Sequence, residues 1–452
     1  MHELLAPVER LPANLFWSAP APFDSEFTAE DPLALDYLGQ QVGLWLFPGF
    51  TTRTSRAQYY AVVLYGLHIV QRTIETCGLA GDDDTRTHLF ERWERCWALA
   101  TMQVRHGALD RGDPDAMRGV RGAKRAWFPG DKPLPLDFQL ISRQSELGGL
   151  GAYLSSLRYH QLVGAGSLRV TPLAREIVDA FWSERRQRDM GAVYEEYVLE
   201  GMKPDAKTWA RATPSGKLTL EGLGRKSCLT SIKDEGRLTQ RERLWNALFA
   251  QARDTGTLQL ANCLVAANAA GVHESEPLLE GMIQSRWSAL DAEVRQRAEL
   301  GLAFGRIARV LLDCFNRAYR HVQESGWHSD PAAVAAAAFP RELDEPLVGL
   351  ATTLANSAQA LRIDGLTFHG PGFMALVRSI GEGNAADKLQ HLLRFHGRVQ
   401  HTRRGAAAWL KQERGKLIMQ LPGYTGYRSP AGFPPLKLNT VRNLLQDLGR
   451  FA

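Results

Sequence analysis

The chain has 452 residues, of which 44% are hydrophobic and 23% are charged, and this composition excludes global disorder. A chain of this length is expected to form roughly two to four helical subdomains with sizeable cores. The formal net charge of +5 is a mild excess, which permits contact with nucleic acid or another anionic surface without requiring it.

The hydrophobic pattern predicts a mainly α protein with several subdomains and a small winged-helix-like α+β segment. Apolar side chains recur at three- and four-residue steps along most of the chain, whereas strand signals are few and short. We therefore expect helix to exceed roughly half of the residues. The expected segments are an N-terminal arm (1–30), an N-terminal helical domain (31–135), the winged-helix-like segment (136–190), a central helical domain (191–383) and a basic C-terminal region (384–452).

Cysteine usage and the N-terminus bear on the location of the protein. The cysteines are far apart and form no Cys-x-x-Cys pair, which argues against a metal knuckle or a disulfide framework. We expect buried thiols in a reducing cytoplasm. Residues 1–27 lack the basic stretch and apolar core of a signal peptide, and the most apolar run, Ala61–Val70, is too short to cross a bilayer. We predict a cytoplasmic protein with no membrane contact.

Turn and capping residues mark the first helices. A helix that begins near Asp31 is expected to end at the Pro48-Gly49 break. The hydroxyl-rich stretch 51–55 is suited to cap a second helix that ends at Gly78. Asp82 and its two acidic neighbours open a third helix, where negative charge suits the helix dipole.

The most distinctive local pattern is LFPGFTTRTSRAQYY at residues 46–60. Arg53 and Arg56 lie three apart and share one helical face. Free amides at a helix N-terminus together with two guanidinium groups could bind phosphate. Alternatively, the hydroxyls only cap the helix and the arginines pair with acids such as Asp31 or Asp36, and this structural alternative is the one that we favour.

This block resembles one in uncharacterised bacterial proteins whose genes lie among phage-defence genes. In that pattern, LFPG is followed by Thr or Ser, a spaced Thr-x-x-Arg-Ala and paired aromatics. The resemblance covers mainly residues 38–70, and it extends more loosely to the winged-helix-like segment and the basic C-terminal region. It implies a bacterial defence context and supplies no catalytic residues.

The stretch from Gly107 to Pro135 loses helical periodicity and predicts a long functional loop or a subdomain boundary. Its glycines allow the backbone to approach a ligand closely. A phosphate contact and a mobile solvated loop both fit this composition. The cations of the loop and its flanks are Arg105, Arg111, Arg118, Arg121, Lys124, Arg125 and Lys132, of which we select Arg121, Lys124 and Arg125 as candidates for nucleic-acid binding.

The segment after Leu140 has the order of elements of a small winged-helix unit. A helix over Leu150–Leu162 precedes a short strand at Leu168–Val170, and Thr171-Pro172 then caps a helix over Leu173–Trp182. In winged-helix proteins one helix enters the major groove and a wing touches the backbone. Arg158 and Arg169 are therefore candidate DNA contacts, although such folds also serve protein contact.

The C-terminal region combines a basic helix with a predicted β-hairpin. The hairpin is expected over Ala408–Lys411 and Lys416–Leu421, with a turn at Arg414-Gly415, and a helix over Asn439–Gly449 follows. Cations interleaved with aromatic side chains are typical of phosphate contact and base stacking. The candidates in this region are Arg398, Arg403, Arg404, Trp409 and Lys411. Glu413 is the only acid in the run from His396 to Lys416, so we expect these cations to line one groove with Arg121, Lys124 and Arg125.

Catalytic patterns are missing from the sequence. It contains no Walker A sequence, no Gly-x-Ser-x-Gly and no His-Glu-x-x-His. His391, His396 and His401 are five apart, which does not align metal ligands on a helix. We predict no catalytic residues, no metal site and no cofactor.

Three functions are consistent with these features. The first is a non-catalytic nucleic-acid-binding subunit of a bacterial anti-phage complex, with DNA as the expected ligand and other defence subunits as partners. The second is a helical scaffold that bridges effector subunits. The third is a divergent metal-dependent nuclease. Salt-sensitive retention on DNA separates the first from the second, and an assay with and without Mg²⁺ tests the third.

Overall fold

The computed structural model describes residues 31–182 and 190–451, with backbone only for Met190 and Arg404. Helices account for 61% of these residues, which confirms the mainly α class. The predicted N-terminal arm lies outside the described residues. Within those residues, no helix is both long enough and apolar enough to cross a bilayer.

Helices of very different length make up most of the described chain, and the strands are short. In chain order, the α-helices are α1 (Leu35–Leu46), α2 (Ala57–Cys77), α3 (Asp83–Val104), α4 (Val120–Ala126), α5 (Gln144–Leu147), α6 (Gly149–Tyr159), α7 (Arg175–Asp179), α8 (Met190–Met202), α9 (Leu220–Ser227), α10 (Leu238–Trp245), α11 (Thr255–Ala269), α12 (Ser275–Ile283), α13 (Ala292–Glu324), α14 (Pro331–Ala338), α15 (Asp344–Ala355), α16 (Ala360–Asp364), α17 (Gly370–Ile380), α18 (Ala385–Arg404) and α19 (Leu438–Asp447). The strands are β1 (Leu134–Pro135), β2 (Thr208–Trp209), β3 (His328–Ser329), β4 (Leu410–Glu413) and β5 (Lys416–Met419).

The described chain forms two compact units, and each is built from two separate stretches. Unit 1 contains residues 31–46 and 273–436, and unit 2 contains residues 47–272 and 437–451. These boundaries cross the five consecutive segments expected from the sequence. The difference has a physical cause: α1 packs on α13, while α19 packs on α2 and α11, and such distant pairings leave no local pattern.

The core of unit 2 surrounds α2 and α3. Helix α2 is buried on nearly every side from Ala57 to Val70, and Trp93 and Trp97 of α3 are fully buried beside it. Helix α9 packs closely on α3 because Gly224 has no side chain, and a Cβ there would overlap the Ala100 carbonyl oxygen. In this unit β1 and β2 form a short antiparallel pair.

Unit 1 is organised around α13, the longest described helix. Helices α1, α12, α14 and α15 all pack on it. A three-stranded antiparallel sheet in the order β3-β5-β4 completes the unit. The predicted hairpin is confirmed, although its first strand, Leu410–Glu413, lies two residues later than expected. Its turn residues Arg414 and Gly415 have φ of 49° and 76°, as a tight hairpin turn requires.

The start of α2 differs from its prediction. The helix begins at Ala57, after the hydroxyl-rich stretch. The Thr54 hydroxyl instead accepts a hydrogen bond from Thr51 N (2.9 Å) and donates to Thr51 O. The backbone N–H of Ala57 donates to the carboxylate of Asp447 at 3.1 Å. A distant acid therefore caps this helix.

The winged-helix-like segment keeps its order of elements in a reduced form. The expected strand is a single antiparallel bridge between Val163 and Val170. The expected helix over Leu173–Trp182 is a 3-10 turn, Pro172–Ala174, followed by the five-residue α7. The winged-helix assignment itself stays a prediction.

Candidate nucleic-acid interface

The turn at Pro48-Gly49 is fixed by buried neighbours in unit 2. Gly49 has φ of +83°, and the ring of Tyr159 occupies the space that a Cβ would need. Phe50 is buried, and its carbonyl oxygen accepts a hydrogen bond from Lys437 Nζ at 2.9 Å. Burial lowers the pKa of Lys437 to about 8. These contacts fix the backbone immediately before Arg53 and Arg56.

Arg56 has a structural role. Its Nε donates to Asp447 Oδ2 at 3.1 Å, and its terminal nitrogens donate to the carbonyls of Pro114 and Leu229. Asp447 is buried, and it also pairs with Lys233 at 3.3 Å. The guanidinium donors of Arg56 are thus used within the fold.

The acids named in the structural alternative are not the partners of these arginines. Asp31 belongs to unit 1, where its carboxylate accepts hydrogen bonds from Leu35 N at 2.6 Å and from Arg403 Nη1 at 3.0 Å. The acid that pairs with Arg56 is Asp447, and neither Asp31 nor Asp36 does so. Arg53 has no ion pair within the described part of the chain.

Arg53 is exposed and lines a cavity of about 220 Å³ together with Arg56, Arg111 and Arg118. No acidic side chain is among the described lining residues, which also include Ser55, Tyr59 and Tyr153. The cavity therefore concentrates positive charge, and a concave wall raises the local potential further.

Backbone contacts hold Arg118 at the wall of this cavity. Its N–H donates to the Tyr59 hydroxyl at 2.8 Å, and its guanidinium donates to the carbonyls of Leu147 and Arg53, each at 3.3 Å. The rings of Tyr59 and Tyr153 stack with centroids 5.1 Å apart. Burial raises the pKa of Tyr59 far above its usual range, so this hydroxyl stays neutral beside the arginines.

A buried carboxyl group, Glu94, lies near these tyrosines. It accepts hydrogen bonds from Gly149 N at 2.5 Å and from Gln144 Nε2 at 3.1 Å, and so caps the start of α6. Burial raises the pKa of Glu94 to about 7. Burial therefore favours the protonated form of this carboxyl group, which reduces the negative charge that it places beside the arginines.

A second cavity of about 340 Å³ shares Arg111 with the first. Its wall also contains Arg121 and Lys124 of α4, the buried Leu109 and Val120, and Asp110 and Gly112. Lys124 pairs with Asp110 at 2.8 Å. Arg111 and Arg121 are exposed and make no ion pair with any described residue. Arg125 is exposed on α4 but lines neither cavity.

The structure therefore places Arg53 and Arg56 from the predicted set in the first cavity and Arg121 and Lys124 in the second, and it adds Arg111 and Arg118. In the sequence, Arg111 and Arg118 are two of the seven cations in the stretch from Arg105 to Lys132. No local pattern distinguishes these two arginines from Arg125. Arg158 and Arg169 lie elsewhere in unit 2. Arg158 reaches the carbonyl of Ser167 at 3.5 Å, and Arg169 lines a different cavity of about 650 Å³.

The C-terminal candidates belong to unit 1. The prediction that Trp409 offers a stacking surface is wrong, because this side chain is 1% exposed and lies against the rings of His396 and Tyr424. Arg403 pairs with Asp31 at 3.0 Å, so an acid outside the local run neutralises it.

The other C-terminal cations lie at the surface or outside the described side chains. Arg398 is exposed and makes no ion pair within the described residues, and Lys411 lies 3.9 Å from Glu413. The side chain of Arg404 is not described. A single groove shared with Arg121, Lys124 and Arg125 stays a prediction.

A larger cavity of about 830 Å³ in unit 2 contains a histidine–carboxylate contact that sequence patterns did not reveal. His68 Nε2 lies 3.4 Å from Glu195, and Arg72 Nε donates to the same carboxylate at 2.8 Å. These hydrogen bonds lower the pKa of Glu195 to about 2. The only sequence feature that pointed to this contact is the position of His68 within the apolar run Ala61–Val70.

Among the described residues, no group of three His, Cys, Asp or Glu side chains is placed to hold a metal ion.

Comparison with family models, with curated proteins and with solved structures finds no match to this chain.

Proposed function

We propose that the chain binds nucleic acid through a surface of unit 2 formed by Arg53, Arg111, Arg118, Arg121 and Lys124, which we call the arginine surface. The observation that carries the proposal is the shared wall of the two cavities. Arg111 lines both of them, and Arg53, Arg111 and Arg121 have no ion pair among the described residues.

Several unpaired arginines in one concave surface raise the electrostatic free energy of the protein when no anion is bound. Guanidinium groups that face one wall repel one another, and no acidic side chain is among the described lining residues of the smaller cavity to offset this repulsion. A phosphate oxygen relieves the repulsion and accepts paired hydrogen bonds from the planar guanidinium fork. The ligand chemistry that fits best is therefore a nucleic-acid phosphate.

The biological context rests on the resemblance of residues 38–70 to a block in uncharacterised bacterial proteins whose genes lie among phage-defence genes. Arg53 lies within this block and also on the arginine surface. We therefore place the binding activity in a non-catalytic subunit of a bacterial anti-phage complex, with DNA as the expected ligand and other defence subunits as partners.

The test compares two double variants by fluorescence anisotropy with labelled DNA over a range of KCl concentrations. Arg111→Gln with Arg121→Gln removes two cations from the arginine surface. Each lost phosphate contact should lower the salt-dependence slope by roughly 0.7 to 0.9. Both residues are exposed, so the fold should be unaffected.

The matched control is Arg143→Gln with Arg225→Gln, which removes the same charge from exposed ion pairs of unit 2. It should bind DNA with nearly the wild-type slope. Equal slopes in the two double variants would show that the arginine surface is not the contact. A wild-type protein with no salt-dependent DNA binding would refute the proposed function.

A further inference from the structure

We infer that the two cavities of the arginine surface hold one nucleotide that carries a phosphomonoester. The phosphate occupies the cavity of about 220 Å³ and its nucleoside the neighbouring cavity of about 340 Å³. This inference rests on the proposed function, which it deepens from binding along a strand to recognition of a phosphate-bearing nucleotide.

The charge of the smaller cavity fits a phosphomonoester better than a phosphodiester. Arg53, Arg111 and Arg118 line it beside Arg56, and among the described residues only Arg56 of these four is paired with an acid. A phosphodiester brings one negative charge, whereas a phosphomonoester carries roughly 1.5 to 2 at neutral pH. The monoester also presents three terminal oxygens to the guanidinium donors that the fold leaves unused.

Two buried tyrosines contribute an uncharged part of the lining of the smaller cavity. Tyr59 and Tyr153 are buried, and their hydroxyls are held by backbone groups: Tyr59 accepts from Arg118 N, and Tyr153 donates to Arg56 O at 3.2 Å. Because both hydroxyls are used within the fold, the charged donors that this cavity offers to a phosphate are its guanidinium groups.

The larger cavity has the features of a nucleoside site. Leu109 and Val120 supply apolar wall, and Arg111 and Arg121 supply planar guanidinium groups on which a base can stack. Asp110 can accept a hydrogen bond from a base amino group, and it disfavours a phosphate at the same place. Asp110 therefore favours the orientation in which the base lies in the larger cavity and the phosphate lies in the smaller one, with Arg111 between them.

The test measures the affinity of single-stranded oligonucleotides that differ only at their ends: 5′-phosphate, 3′-phosphate or no phosphate. One phosphorylated form should bind about tenfold more tightly than the unphosphorylated strand, because it adds charge-assisted hydrogen bonds. Arg53→Gln should weaken binding of the phosphorylated strand more than that of the unphosphorylated strand and so remove most of this preference, whereas Arg143→Gln, which lies outside the arginine surface, should leave the preference unchanged. Arg121→Gln, which affects only the larger cavity, should weaken both ligands.

Competition identifies the source of the nucleotide. A mononucleotide that displaces the labelled strand as well as the phosphorylated oligonucleotide does would assign the site to a free nucleotide, and a mononucleotide that competes poorly would assign it to a strand end. Inorganic phosphate that competes as well as the mononucleotide would overturn the nucleoside site. Equal affinity for all three oligonucleotides would overturn the inference but leave the proposed function in place, whereas a failure to bind any of them would refute both.

Discussion

Two buried histidines show how the same pKa shift arises from different surroundings. Burial lowers the pKa of both His396 and His160 to about 4. His396 uses both nitrogens, since Nδ1 lies 2.8 Å from Pro32 O and Nε2 accepts from Trp409 N at 2.9 Å. Neither nitrogen of His160 has a partner among the described residues. The first imidazole ties two segments together, and the second only fills space beside Phe50.

We predict that His160→Leu preserves or raises the free energy of unfolding at pH 7 and reduces its loss in acid. A buried polar group without a partner costs about 1–3 kcal/mol. The folded-state pKa lies below the unfolded value of 6.5, so the neutral imidazole's contribution is complete above that pH and is lost as pH falls toward 4. The loss by pH 5 is about 2 kcal/mol. Urea unfolding at pH 7 and pH 5 measures both effects.

His396→Leu serves as the matched control for this prediction. It removes a titrating imidazole with the same pKa, so the acid-dependent loss should shrink to the same extent. At pH 7 it should nevertheless be destabilising, because Trp409 N loses its acceptor and Pro32 O keeps only the longer hydrogen bond from Gln400. Equal stability of the two variants at pH 7 would contradict the distinction drawn between the two sites.

The residue scale also shows what local sequence can and cannot reveal. The Arg414-Gly415 turn follows from a local rule, because flanking strands and a glycine are enough to specify it. Trp409, just before the first strand of this hairpin, looks like a surface aromatic among cations. Its burial depends on His396 and Tyr424, and on Phe315 far away in the chain. Burial of a single side chain is a property of the fold, which the local pattern does not contain.

At the scale of elements, the central helix of unit 2 depends on an acid from α19. Asp447 accepts hydrogen bonds from Ala57 N and Arg56 Nε at 3.1 Å each and pairs with Lys233. The side chain of Asp447 is 4% exposed. Such a carboxylate serves at once as a helix cap and as the counter-charge of a half-buried arginine.

We predict that Asp447→Asn lowers the free energy of unfolding by about 3 kcal/mol, because it leaves the Arg56 guanidinium without a counter-charge in a largely buried place. Glu146→Gln is the control, since it removes an acid from the exposed Arg143–Glu146 pair. That change should cost less than about 0.5 kcal/mol. Thermal and urea unfolding measure both variants, and similar losses in the two would rule out the structural role of Asp447.

The same element shows why part of the site escaped prediction. Helix boundaries such as Gly78 and Asp82 are marked by local capping residues, and the structure uses both as caps. The cap of α2 comes from a residue 390 positions away, so the hydroxyls beside it suggested the wrong cap. Arg111 and Arg118 likewise became distinguishable from Arg125 only when the fold placed them around a cavity.

At the scale of the molecule, both units are assembled from stretches that are distant in the chain. Unit 2 gains Lys437 and Asp447 from residues 437–451, and these contact Phe50 and Arg56 on either side of the hydroxyl-rich stretch. Unit 1 contains none of residues 437–451. Each unit should therefore respond separately to a truncation.

We predict that removal of residues 437–452 destabilises unit 2 and spares unit 1. The amides of α2 should lose protection from hydrogen exchange, because their helix loses its cap and its packing against α19. The amides of α18 should keep most of theirs. Removal of residues 449–452 alone is the control and should leave both helices protected. Unchanged protection of α2 after the longer truncation would contradict the prediction.

The dependence of unit 2 on α19 has a consequence during protein synthesis. Residues 47–272 leave the ribosome well before residues 437–447, and at roughly 5–20 residues per second the intervening stretch takes roughly ten to thirty seconds to make. Throughout this interval Arg56 lacks its counter-charge and α2 lacks its cap. In a nascent chain, residues 46–60 are therefore exposed before their contacts with α19 can form. During this time chaperones or cellular polyanions can bind Arg53 and Arg56 in competition with folding.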